Sequence, residues 1–107
     1  MSSTTFRIEE QPDDHVFRLI GELDLDSSED FLQGLMSAVQ HGGDIRLDVS
    51  DLRFIDSSGI RALIVVSQQL GDRGQIVLRA PKGEVARVLA LVKAETFPNL
   101  SIDRAVG

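Results

Sequence analysis

The chain has 107 residues, of which 42% are hydrophobic and 26% charged, with no cysteine and a formal net charge of −6. That is enough for one domain around one apolar core and too apolar for a disordered chain. The acidic balance excludes binding that relies on neutralising nucleic-acid phosphates, and the missing cysteines exclude disulfides, thiolate metal sites and thiol catalysis.

Met1 to Thr5 are small and polar, the expected frayed start of a single domain over residues 1–107. MSSTTFRIEE lacks the apolar core of a signal peptide, and no stretch of about eighteen apolar residues follows. A cytoplasmic protein with neither a membrane nor a nucleic-acid partner is therefore expected.

Phe6-Arg7-Ile8-Glu9 and His15-Val16-Phe17-Arg18-Leu19-Ile20 alternate in polarity around the turn formers Gln11-Pro12-Asp13-Asp14, which predicts a β-hairpin. Gly21-Glu22-Leu23-Asp24-Leu25 then leads to three candidate helix caps, Asp26-Ser27-Ser28. Phe31, Leu32, Leu35, Met36, Ala38 and Val39 recur at helical spacing until Gly42-Gly43. Gly34 inside that helix costs about 1 kcal/mol relative to alanine.

Ile45, Leu47 and Val49 alternate as a strand with one buried face. Ser50 to Ile55 reads as a connection, though Leu52, Phe54 and Ile55 keep it from being a solvated loop. Asp56-Ser57-Ser58-Gly59 reads as a tight polar turn before an apolar helix from Ile60 to Leu70. On that helix Ala62, Leu63, Val66 and Leu70 share the face toward the sheet, with Ile60 and Ile64 as its shoulder. Val65 falls on the opposite side with Arg61, Gln68 and Gln69, either as an incidental apolar residue or as part of a partner surface.

Gly71-Asp72-Arg73-Gly74 forms a turn, and Gln75 to Arg79 a further strand. Ala80 to Glu84 opens a third helix with the stripe Val85, Val88, Leu89 and Val92, which Phe97-Pro98-Asn99 ends before a last strand, Leu100-Ser101-Ile102. The order ββαβαβαβ predicts an α/β fold: a mixed sheet of four to five strands, an initial hairpin followed by parallel strands, flanked by three to four helices.

A strand, a tight turn and a helix aim the first backbone N–H groups of the helix at whatever occupies the turn. Helix capping is the simpler explanation of Asp56-Ser57-Ser58-Gly59 on residue types alone. The alternative is covalent modification of a serine, since a phosphoryl group would bring about −1.5 to −2 charges to a spot that tolerates them. A nucleophilic serine is disfavoured, because no glycine stands two residues before Ser57 or Ser58 and neither His15 nor His41 is placed to serve as a base. Glu22, Asp24 and Asp26 alternate as carboxylates, yet they lack the spacing of a calcium loop, and acids before a helix are favoured by its dipole. Gly71 to Gly74 is neither a Walker loop nor a dinucleotide fingerprint. No catalytic residue, metal or cofactor is predicted.

The runs Gly21-Glu22-Leu23-Asp24-Leu25, Leu47-Asp48-Val49 and Phe54-Ile55-Asp56-Ser57-Ser58-Gly59-Ile60 resemble the STAS domain of bacterial anti-sigma factor antagonists, in order and over nearly the whole chain. The resemblance implies a partner switch. The unmodified protein would bind an anti-sigma factor that is a serine kinase and free a sigma factor. Phosphorylation would end that binding, and a serine phosphatase would restore it. Ser58 matches the family's phosphoacceptor, Ser57 is the neighbouring alternative, and Asp24 and Asp56 match its acidic positions. The expected partner face comprises Asp24, Asp56, Ser57, Ser58, Gly59, Arg61 and Val65. Arg61 departs from the pattern, where a small or apolar residue is expected. Other readings are a STAS subunit of a lipid-transport ABC system, which the paired serines disfavour, a small nucleotide sensor, and a different kinase–phosphatase signalling complex.

Overall fold

A computed structural model describes residues 6–11 and 16–104. The predicted fray at Met1 to Thr5, the hairpin turn Pro12-Asp13-Asp14 and His15 lie outside the described residues. The elements in chain order are β1 (Phe6–Gln11), β2 (Val16–Leu23), α1 (Ser28–His41), β3 (Ile45–Ile55), α2 (Ser57–Leu70), β4 (Ile76–Arg79), α3 (Gly83–Leu91) and β5 (Leu100–Asp103). Single 3-10 turns at Gly71–Arg73 and Ala94–Thr96 join the later elements. The mixed sheet predicted from the sequence is present, with strands in the order β1-β2-β3-β4-β5. β1 runs antiparallel to β2, and every later pair is parallel.

Each crossover steps the chain one strand further in the same direction. Right-handed crossovers that all step one way put their helices on one face of the sheet. Burial agrees. Phe17, Leu19, Ile45, Leu47, Val49, Ile76 and Leu78 are buried in one core with Phe31, Leu35, Leu63, Val66 and Leu89 of the helices. Between them Arg18, Arg46, Asp48 and Arg79 point to the other side, where they are exposed or half-buried. Gly34 has a packing reason: a Cβ there would fall 2.7 Å from Ile8 Cδ1, so the missing side chain lets β1 close onto α1. Phe6 meets Phe31 edge-on at the same contact, with ring centroids 6.5 Å apart.

Three boundaries differ most from the sequence reading. β3 does not stop at Val49 but continues through Ser50 to Ile55. Arg18 to Ile20 advances two residues on β2 while their partners Asp48 to Asp51 advance three. Gly21 to Glu22 advances one while Leu52 to Phe54 advances two. Each step inserts an extra residue in β3, as a β-bulge does, and so breaks the alternation by which a strand is recognised. α2 begins at Ser57, with Asp56 as its N-cap, so the polar turn is already helix. Val92 lies beyond the end of α3 and is exposed, and only Val85 and Leu89 of its stripe are fully buried.

Candidate functional site

The site forms where β2 and β3 end side by side. Leu23 pairs with Ile55 at the last register position, and the Asp56 N–H donates to Leu23 O at 3.3 Å. Both chains then turn into helices. Asp56 is extended at φ −115°, ψ −171°, and its Oδ1 accepts from the backbone N–H groups of Ser58 at 2.9 Å and Gly59 at 3.1 Å. A carboxylate at this position satisfies two of the orphan donors of the helix and also favours its positive end.

Capping is therefore the work of Asp56. The hydroxyls of Ser57 and Ser58 make no hydrogen bond among the described residues. Ser57 is exposed and Ser58 half-buried. Gly59 is buried one position further on, with Leu23 O and Ile55 Cγ1 so close that any side chain would collide. Its contribution to the site is that approach.

The other wall comes from the β2–α1 turn. Asp24 Oδ1 accepts from the backbone N–H groups of Asp26 at 3.1 Å and Ser27 at 3.2 Å. Ser27 was a predicted cap of α1 and does occupy the N-cap position, but its hydroxyl turns back, donating to Glu22 O at 2.8 Å and accepting from Asp24 N–H at 2.9 Å. The turn is thereby fastened to the end of β2, and Leu25 projects outward with 72% of its surface exposed. Ser28 Oγ donates to Leu25 O at 3.2 Å.

Between the two walls runs a shallow groove of about 260 Å³ lined by Leu25, Ser28, Leu32, Ser57, Ser58, Arg61, Ala62 and Val65. Of the residues expected at the site, Ser57, Ser58, Arg61 and Val65 meet in this groove. Asp24, Asp56 and Gly59 do not line it; they hold its walls in place. Leu25, Ser28, Leu32 and Ala62 are additions that the sequence did not single out. Leu32 and Ala62 belonged to the apolar helix stripes, and only the packing of α1 against α2 shows that their edges stay open. Arg61 is the one charged group in the lining. Among the described residues no group of three acidic or histidine side chains could hold a metal ion, and no helix is long and apolar enough to cross a membrane.

The sequence model of the STAS domain family matches residues 5–106. No curated protein sequence matches the chain. Among solved structures the chain is similar to a candidate anti-sigma factor antagonist of Thermotoga maritima, at 23% identity over 92% of this chain and 86% of the other, with a TM-score of 0.70. An anti-sigma factor antagonist from Mycobacterium paratuberculosis gives 21% identity over 91% and 84%, with a TM-score of 0.74. The Bacillus cell fate determinant SpoIIAA in its phosphorylated form gives 20% over 91% and 89%, with a TM-score of 0.62. At these identities the likeness is one of fold.

Proposed function

Since the chain belongs to the STAS domain family, we propose that it is an anti-sigma factor antagonist whose groove between α1 and α2 binds an anti-sigma factor serine kinase and so releases a sigma factor in the cytoplasm. The observation that carries this reading is that Asp56 caps α2, leaving both serine hydroxyls unused beside an exposed leucine. Capping alone does not account for two free serines. The anti-sigma factor antagonists among the similar folds, and SpoIIAA in its phosphorylated form, support the same reading.

Ser58 is the proposed phosphoacceptor, with Ser57 as the alternative. The kinase supplies ATP, magnesium and the base. The new bond joins Ser58 Oγ to the γ-phosphorus, the γ-phosphorus bond to the bridging oxygen breaks, ADP leaves, and the hydroxyl proton passes to the base. The dianion then sits in a surface that must be desolvated to bind, which weakens the complex by about 2–5 kcal/mol. A serine phosphatase resets the switch. The chain itself acts as a regulator and carries out no catalysis.

The test combines the purified protein with the anti-sigma factor kinases of its source cell and ATP, then maps phosphate by mass spectrometry. Incorporation at residue 58 that disappears in Ser58→Ala, with binding lost in Ser58→Asp, is the expected result. Equal retention of the same partners by wild type and Ser58→Asp, above all ABC-transporter components, would overturn the reading.

A further inference from the structure

Phosphate on Ser58 would meet a helix start at which two of the donors are already engaged. The N–H groups of Ser58 and Gly59 are bound to Asp56 Oδ1. Of the first three N–H groups of the helix only that of Ser57 is left for the phosphate, and the Asp56 carboxylate repels it. A cation is needed, and one is in place. Arg61 follows Ser58 by three residues and Ser57 by four on α2, the spacings at which helix side chains become neighbours at about 5–6 Å between Cβ atoms. Side chains on a helix lean toward its N-terminus, which directs the Arg61 side chain toward the turn that carries the two serines. Arg61 is exposed, lines the same groove, and makes no ion pair or hydrogen bond among the described residues. By contrast Arg7, Arg18, Arg87 and Arg104 each face a carboxylate. An unpaired arginine in a groove with no lining carboxylate is notable in a chain of net charge −6.

We infer that Arg61 is the counter-charge of the switch, free in the unmodified protein to pair with a carboxylate of the kinase partner and captured by the phosphate once Ser58 is modified. Modification then acts twice on one contact, adding a charge the partner must desolvate and withdrawing the cation the partner was using. The fork of a guanidinium suits both carboxylate and phosphate, so one side chain serves both states. This rests on the proposed function, since it takes the partner and the modified serine from it.

The first experiment needs no partner. Phosphoserine is installed at position 58 during translation, and its phosphorus resonance is titrated by NMR in wild type, Arg61→Gln and, as a control, Arg46→Gln on the far face of the sheet. Asp56 at the N-cap of α2, Asp24 and Asp26 in the β2–α1 turn, and Glu29 and Asp30 in the first turn of α1 all raise the phosphate midpoint. They are present in every sample, so the comparison isolates Arg61. The midpoint, near 6 for a free phosphoserine, should be about half a unit lower in wild type than in Arg61→Gln, unchanged by Arg46→Gln, with the difference fading in roughly 1 M salt. Equal midpoints in wild type and Arg61→Gln overturn the capture. The second experiment measures the affinity of the unmodified protein for the kinase. Arg61→Gln should bind about three- to tenfold more weakly and Arg61→Lys should recover most of the loss; equal affinities overturn the partner contact. If the kinase never modifies Ser58, the proposed function falls on its own, because the NMR titration uses phosphate placed there by synthesis.

Discussion

Gly59 of α2 lies so close to Leu23 of β2 that a Cβ on the glycine would stand 2.5 Å from the leucine carbonyl oxygen and 2.7 Å from Ile55 Cγ1. The obstacle on one side is backbone, which cannot rotate away. Gly59→Ala must push the first turn of α2 off the strand ends, at a cost of about 1–3 kcal/mol. Denaturant unfolding would read this as a lower midpoint. Kinase binding should weaken as well, because the displaced turn carries both serines.

Asp56→Ala removes the cap from the same turn and leaves two N–H groups without their acceptor. The expected loss is about 1–2 kcal/mol in unfolding free energy. Asp56→Asn keeps an accepting oxygen and should lose much less. If both variants match wild type in chemical denaturation, Asp56 does not cap the helix in solution.

Leu25→Ser separates binding from folding. With 72% of its surface in solvent, Leu25 adds little to the core, so thermal unfolding should be nearly unchanged. Its position on the groove makes it an apolar anchor, and its loss should cost about 1–3 kcal/mol of kinase affinity. Calorimetric titration against the kinase, alongside melting curves, gives both numbers.

Asp48 sets a pH dependence on the opposite face of the sheet. Burial works to raise its carboxyl, but hydrogen bonds from the Ser50 hydroxyl and N–H, with Arg18 and Arg79 nearby, outweigh burial and hold it below the usual carboxylate range. A carboxyl lowered in the folded state adds stability above its unfolded pKa, about 3.9. That contribution disappears as pH falls through the lower, folded value. Asp48→Asn should therefore be less stable than wild type at pH 7, by up to about 1 kcal/mol, and the gap should close as the solution is acidified below about pH 4. Urea midpoints of the two proteins across that range provide the check; a gap that stays constant with pH would rule the mechanism out.

The order of strands and helices was legible because the apolar residues keep clean periods, as in Phe31-Leu35-Val39 and Ile45-Leu47-Val49. The second half of β3 was hidden because its two inserted residues put Val49 and Leu52, and then Leu52 and Ile55, three apart, a spacing that no flat strand shows. The start of α2 was misplaced by three residues because serine and glycine are poor helix formers, and residue types alone left open whether Asp56 or a serine was the cap that overrides them. At the site, the motif identified Ser57 and Ser58, but the groove belongs to the packing of α1 on α2. Asp24 and Asp56 have the identity of site residues, yet their carboxylates are used by backbone N–H groups of the turns they begin. Leu25 could not be told from a core leucine without the turn that faces it outward.

The face of the sheet opposite the helices has its own consequence. At one level across all five strands, Glu9 stands opposite Arg18, Arg18 opposite Asp48, Asp48 opposite Arg79, and Arg79 opposite Asp103. Neighbouring signs attract along the row, which favours this strand register over any slip. Stacking the face against another sheet would strip water from every one of these charges, at several kcal/mol per ion. The two sides of the molecule thus differ in what they admit: one offers a leucine-flanked groove, and the other rejects flat apolar company, crowded copies of the same chain included.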